Sequence, residues 1–91
     1  MKDLTDWTGK LVGSVDDSGN YYDVSGRFLG DVDSHGDIRS PDGSVLGHKG
    51  HDGELRSTRG DIVGRVDSHG DAYTSDGTLR GSSDILDFFF S

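Results

Sequence analysis

Gly26-Arg27-Phe28-Leu29-Gly30-Asp31-Val32-Asp33-Ser34-His35-Gly36-Asp37-Ile38-Arg39-Ser40-Pro41-Asp42 is one period of a pattern that recurs every seventeen residues. Gly9, Gly26, Gly43, Gly60 and Gly77 form one series. Gly13, Gly30, Gly47, Gly64 and Gly81 form a second, and Gly19, Gly36, Gly53 and Gly70 a third. Fourteen of the fifteen glycines fall on this lattice; only Gly50 stands off it. A fixed period of this kind means one supersecondary unit laid against copies of itself. Counted from the first glycine, the units are 9–25, 26–42, 43–59 and 60–76, with a partial fifth over 77–91.

Each unit carries two turn signatures. The first is Asp33-Ser34-His35-Gly36, which returns as Asp67-Ser68-His69-Gly70 and Asp16-Asp17-Ser18-Gly19. Asp at the first position and Gly at the fourth fit a type I turn closed by a left-handed glycine. The second is Ser40-Pro41-Asp42-Gly43, which returns as Thr74-Ser75-Asp76-Gly77; proline suits its second position because its φ is already fixed there. Between the turns lie longer strands (10–15, 27–32, 44–49, 61–66) and shorter ones (20–23, 37–39, 54–56, 71–73). Alternation along a strand sends Phe28, Gly30 and Val32 to one face, and likewise Ile62, Gly64 and Val66. On the short strands the inward residues are Tyr21, Ile38, Leu55 and Ala72.

The glycines within the long strands require a bulge, a bend or a close approach of another chain segment, because glycine otherwise weakens a strand. Bends at a constant interval curl a meander about an axis. The next position is apolar too (Val12, Leu29, Leu46, Val63), with Arg80 breaking the series. Both faces are therefore expected to be covered, by the chain's own tails or by a second chain. The expected fold is all-β. It comprises four to five 17-residue β-hairpin repeats in an antiparallel meander, with a closed or curled pseudo-four-fold architecture, as a single domain over 1–91. The partial fifth unit, over 78–82, is expected to pair with a neighbouring hairpin and complete the closure; an open single-layer sheet is the alternative.

The unit 26–42 resembles those of the bacterial four-fold β-flower proteins, and is similar to a glycine-rich repeat domain of unknown function from fungi and bacteria. The likeness covers residues 9–82 and consists of a cadence of Gly, Asp and apolar positions. It implies hairpins about a pseudo-four-fold axis and no activity. The units here are richer in Asp and poorer in aromatics than the β-flower units.

The chain has 91 residues, of which 30% are hydrophobic. A domain this small buries about 60–65% of its unfolded surface, so tight turns or self-association must supplement the core. There is no cysteine, which points to a reducing compartment. No apolar leader or membrane-spanning run is seen, and the cytoplasm is the expected location. The net charge is −8, from sixteen Asp and one Glu against nine Lys and Arg. Asp is a turn residue and disfavours helix and strand interiors. The acidity argues against direct contact with nucleic acid or an anionic membrane and favours a protein partner with a basic surface.

Catalytic and metal chemistry find little footing. Asp31-Val32-Asp33-Ser34-His35-Gly36-Asp37 has the outline of a calcium loop, but His35 stands where an oxygen ligand belongs and unit four opens with Arg65. His48 and His51 have a spacing that puts them on opposite faces of a strand, which a zinc site does not tolerate. His35 and His69 share one turn position, where neighbouring acids could make them sensitive to mild acid. No nucleophile elbow or phosphate loop leads into a helix. The chain is expected to be no enzyme, with no metal and no cofactor.

What remains is binding. Asp16, Asp17, Asp33, Asp37, Asp52, Asp67 and Asp71 lie on or beside the first turns and would steer a basic partner. Arg39, Arg56 and Tyr73 take the outward position of the short strands and would add anchors. A sharper version is an inhibitor of the kind phages encode, anti-CRISPR or anti-restriction, that occupies a nucleic-acid groove by acidic mimicry. The alternative is a structural, self-assembling repeat protein. The tail departs from the repeat: Ile85, Leu86, Phe88, Phe89 and Phe90 either cap the meander, together with Leu4 and Trp7, or anchor a homo-oligomer.

Overall fold

A computed structural model describes residues 1–90; Ser91, the last residue of the tail, lies outside them. Ten strands form one antiparallel meander in which each pairs with the next in sequence. They are β1 (Lys2–Thr5), β2 (Leu11–Val15), β3 (Asn20–Tyr22), β4 (Phe28–Val32), β5 (Asp37–Arg39), β6 (Val45–Lys49), β7 (Glu54–Ser57), β8 (Ile62–Val66), β9 (Ala72–Thr74) and β10 (Leu79–Gly81). A single helical turn, α1 (Leu86–Phe89), ends the chain. The sheet curls into a nearly closed barrel of 31 × 30 × 19 Å. Two near-equal extents and one short one make a squat ring, with its axis along the short dimension.

The repeat number is five, where the glycine count suggested four complete units and a partial one. Strand β1 supplies the difference. Leu4 lies seventeen residues before Tyr21, so Leu4, Tyr21, Ile38, Leu55 and Ala72 are one series, and all five are buried. Each short strand pairs with the long strand after it to make a hairpin, and five hairpins surround the axis. The first turns, which join one hairpin to the next, gather at one end of the ring. The second turns, at the hairpin tips, gather at the other.

Phe28 and Ile62 are not core residues, although simple alternation placed them there. The ladder slips in every hairpin: Tyr21 faces Gly30 while Tyr22 faces Phe28, which leaves Leu29 as an extra, bulged residue. A bulge reverses the alternation beyond it. Phe28 and Ile62 are thereby turned outward, while Val12, Leu29, Leu46 and Val63 pack against the core. The mid-strand glycine sits next to the bulge in each hairpin. Leu4, Ile38, Leu55 and Ile85 are fully buried, and side chains of this kind contribute roughly 1.5–3 kcal/mol apiece.

The two ends of the sheet meet in the register that joins the hairpins to one another. Ser14 pairs with Tyr22, Asp31 with Arg39, His48 with Arg56 and Arg65 with Tyr73. The same relation carried one step further joins Ser82 to Thr5, and the Thr5 N–H donates to the Ser82 carbonyl at 3.2 Å. Lys2 Nζ reaches the His69 carbonyl across the same seam. The chain then turns inward at Asp84, the only described non-glycine residue with positive φ. Its N–H bonds the Gly70 carbonyl.

The tail plugs the barrel from within. A Cβ on Gly13, Gly30, Gly47 or Gly64 would stand 2.6–2.7 Å from Leu86, Phe90, Phe89 and Phe88 respectively. The glycine ring is thus the seat of the tail: four strands give up their side chains so that four tail side chains can approach the backbone. Trp7, expected beside this plug, is instead 72% exposed.

Candidate functional site

The first turns are built around their leading aspartates. Asp33 Oδ1 accepts the N–H groups of His35 and Asp37, both at 2.9 Å. Asp16 does the same for Ser18 and Asn20, and Asp67 for His69 and Asp71. A short carboxylate can satisfy turn N–H groups that the sheet cannot reach. These bonds favour the ionised form. Backbone donors, Asn20 for Asp16 and Asp37 for Asp33, hold both below the usual carboxylate value. At Asp67, desolvation pushes the other way and is outweighed by the Asp71 and His69 N–H bonds.

The second oxygen of each aspartate is also engaged. Arg39 meets Asp33 Oδ2 at 2.8 Å, and the Tyr22 and Tyr73 hydroxyls donate to Asp16 and Asp67 Oδ2 at 3.4 Å. Desolvation, and then the facing carboxylate, raises the pKa of both tyrosines. The third first turn begins with Gly50, so Arg56 has no such aspartate. It turns to Glu54 and the Gly60 carbonyl. The structure therefore ties Arg39 and Tyr73 back to the first turn that leads into their own strand, and Arg56 to its own strand and the following second turn.

The expected acidic residues come together at one end of the ring. The four first-turn loops (16–20, 33–37, 50–54, 67–71) hold eight acids and no Lys or Arg. The five second-turn loops (6–10, 23–27, 40–44, 57–61, 74–78) hold five acids and three bases. The charge of the first-turn loops alone thus equals the net charge of the whole chain, −8. Asp16, Asp33 and Asp67 are fixed by their turns. Asp17 and Asp52 are exposed; Asp37 meets His48 Nδ1 at 3.2 Å, and Asp71 accepts the Ser82 hydroxyl.

Between the second and third of these turns lies a depression of about 400 Å³ lined by Asp33, His35, His48, Lys49 and His51 among others. Lys49 stands where other units have Val15, Val32 and Val66, and its Nζ lies 3.7 Å from Asp84. Tyr21 shares that carboxylate; burial, and then the Asp84 charge, push its pKa above the ordinary range. Among the described residues no group of three or more His, Asp and Glu is placed to hold a metal ion. No described helix is long and apolar enough to cross a membrane.

Ile85 and Leu86 are buried in their own chain, and Phe88, Phe89 and Phe90 are half-buried against it. The apolar surface left open lies elsewhere. Leu11, Phe28, Val45, Ile62 and Leu79 form an exposed series on the outer wall near the second turns, and Trp7 and Val24 occupy two adjacent turn tips. The seventeen-residue spacing of the outer series was available in the sequence, but its orientation was not, because the bulge decides it. No protein-family model matches the chain, and no curated protein or solved structure matches it.

Proposed function

We propose that the chain is a non-enzymatic, acidic protein-binding module that docks its first-turn end on a basic protein surface. The supporting observation is the segregation of charge: eight acids and no Lys or Arg on four loops at one end of a rigid ring. Fixed carboxylates lose little entropy on binding and steer a cationic partner from a distance. A groove built for a phosphate backbone is the natural counterpart, and its occupation by these carboxylates is inhibition by mimicry, of the anti-CRISPR or anti-restriction kind. The cytoplasm is where such a target is met. The cadence shared with the β-flower repeats supports the scaffold and adds no activity.

The test is capture from bacterial lysate at low and high salt with the native chain and with a triple variant, Asp17→Lys, Asp37→Lys and Asp52→Lys. Asp17 and Asp37 cap no turn N–H, whereas Asp52 Oδ1 accepts the Glu54 N–H at 3.1 Å, so circular dichroism accompanies the capture; together the three substitutions take the net charge from −8 to −2, two units each. The expected result is a nucleic-acid enzyme held by the native chain, released by salt and by duplex DNA, and lost by the triple variant. Equal capture by both chains would sink the proposal.

A further inference from the structure

The end of the ring opposite the acids is unlike the surface of a solitary acidic domain. Among the described residues, seven of the eight large exposed apolar side chains belong to the second-turn half of the ring: Trp7 and Val24 at its tips, and Leu11, Phe28, Val45, Ile62 and Leu79 on the outer wall beside them. Trp7 and Val24 are 72% and 62% exposed on adjacent tips, with Leu11 and Phe28 just behind them on the same two hairpins. Lys10 and Arg27, in the same two turns, are exposed as well. An exposed tryptophan at a turn tip, with exposed Val24, Leu11 and Phe28 on the same two hairpins, has the composition of an interface centre.

We infer that a second copy of this chain covers that end, second turns against second turns, in an isologous pair. Charge selects this occupant. Contact through the first-turn ends would press eight carboxylates against eight. Docked back to back, the two acidic ends face away from each other across two ring heights of 19 Å each, far beyond the screening length of about 8 Å at physiological salt. The second-turn loops offset five acids with three bases, and their acids at Asp6, Asp23, Asp42 and Asp76 bond their own turns. The pair would present two acidic ends, each free for the partner proposed above, and the pairing does not depend on that partner.

Trp7 is the only tryptophan, so its fluorescence reports this surface directly. Sedimentation equilibrium from micromolar to millimolar concentration should show a dimer that survives high salt, with Trp7 emission shifting to the blue as it forms. Val24→Ser, read by mass with Trp7 retained, should weaken the dimer about tenfold, and Trp7→Ser about thirtyfold or more, as central interface residues do. Both should keep the far-ultraviolet circular dichroism of the native chain. The triple charge reversal should leave the dimer intact. A monomer at every concentration overturns the inference, and a blue shift on phosphatidylcholine vesicles would then give the surface to lipid. A dimer untouched by both substitutions, or abolished by the charge reversal, overturns it as well.

Discussion

Phe90 Cε1 lies 2.6 Å from the point that a Cβ on Gly30 would occupy, and the Phe90 ring rests 5.4 Å from that of Tyr21. Phe89 and Phe88 stand in the same relation to Gly47 and Gly64. Glycine within the strands and aromatic residues in the tail are thus two halves of one packing solution. Gly47→Ala should cost about 2–3 kcal/mol, the range for overpacking, because the new methyl meets both Phe89 and the Arg56 carbonyl. Gly43, with φ +90° and nothing within 4 Å of its Cβ position, provides the contrast: Gly43→Ala should cost about 1 kcal/mol from backbone strain alone. Urea unfolding measures both, and equal losses would contradict the seating of the tail.

The tail's share separates from the backbone's in a double-mutant cycle. Phe89→Ala should destabilise by about 2–3 kcal/mol, less than a fully buried ring because Phe89 is only half-buried. In that background Gly47→Ala should cost at least about 0.5 kcal/mol less than in the native chain, the coupling expected of residues in contact. Additive losses would mean that the methyl's conflict lies with Arg56 alone.

The strands and turns were legible because the glycine lattice marks every boundary, and the inward series Tyr21, Ile38, Leu55 and Ala72 followed from it. The fifth hairpin is legible in principle: Leu4 sits on that series, but residues 1–8 contain no glycine to mark its boundaries. The outward turn of Phe28 and Ile62 was not, since a one-residue bulge flips a strand face without changing the composition. The plug was partly legible as a cap. Its helical turn was not, because six residues carry no usable period. Lys49 in place of a valine acquires meaning only once ring closure brings Asp84 beside it.

Acid should weaken the fold through its turn aspartates. Asp16, Asp33 and Asp42 titrate below the ordinary 3.8 in the folded chain, Asp42 down to about 2 under the hydroxyl of Ser40 and the N–H of Ser44. The unfolded chain therefore binds these protons more readily. The stabilisation is fully present above pH 3.8 and is lost as pH falls toward the folded values, with Asp42 setting the lower limit near 2. Urea midpoints should fall across this window, and Asp33→Asn should make the fall shallower. An unchanged slope in Asp33→Asn would mean that its turn bonds contribute nothing.

Gly50 is the one glycine off the lattice, and it stands where the other first turns have Asp16, Asp33 and Asp67. Unlike Gly36 and Gly53, it does not have a positive φ, and the nearest atom to its Cβ position is Asp52 Oδ1 at 3.1 Å, which accepts the Glu54 N–H. A side chain fits there, and the turn lacks the cap that the other units share. Gly50→Asn should take over the Glu54 N–H from Asp52 and reach the Asp52 N–H as well, completing that cap from its amide oxygen without adding a second carboxylate beside Asp52. Together with the reduced freedom of the unfolded chain, this should stabilise the protein by about 0.5–1 kcal/mol. Gly36 is the opposite case. With φ +88° and the Lys49 carbonyl 2.2 Å from its Cβ position, Gly36→Asn should destabilise by more than about 1–2 kcal/mol, even though asparagine tolerates left-handed φ better than most residues. Thermal midpoints of the two variants should move in opposite directions. Movement in the same direction would mean that the missing aspartate at residue 50 has no structural consequence.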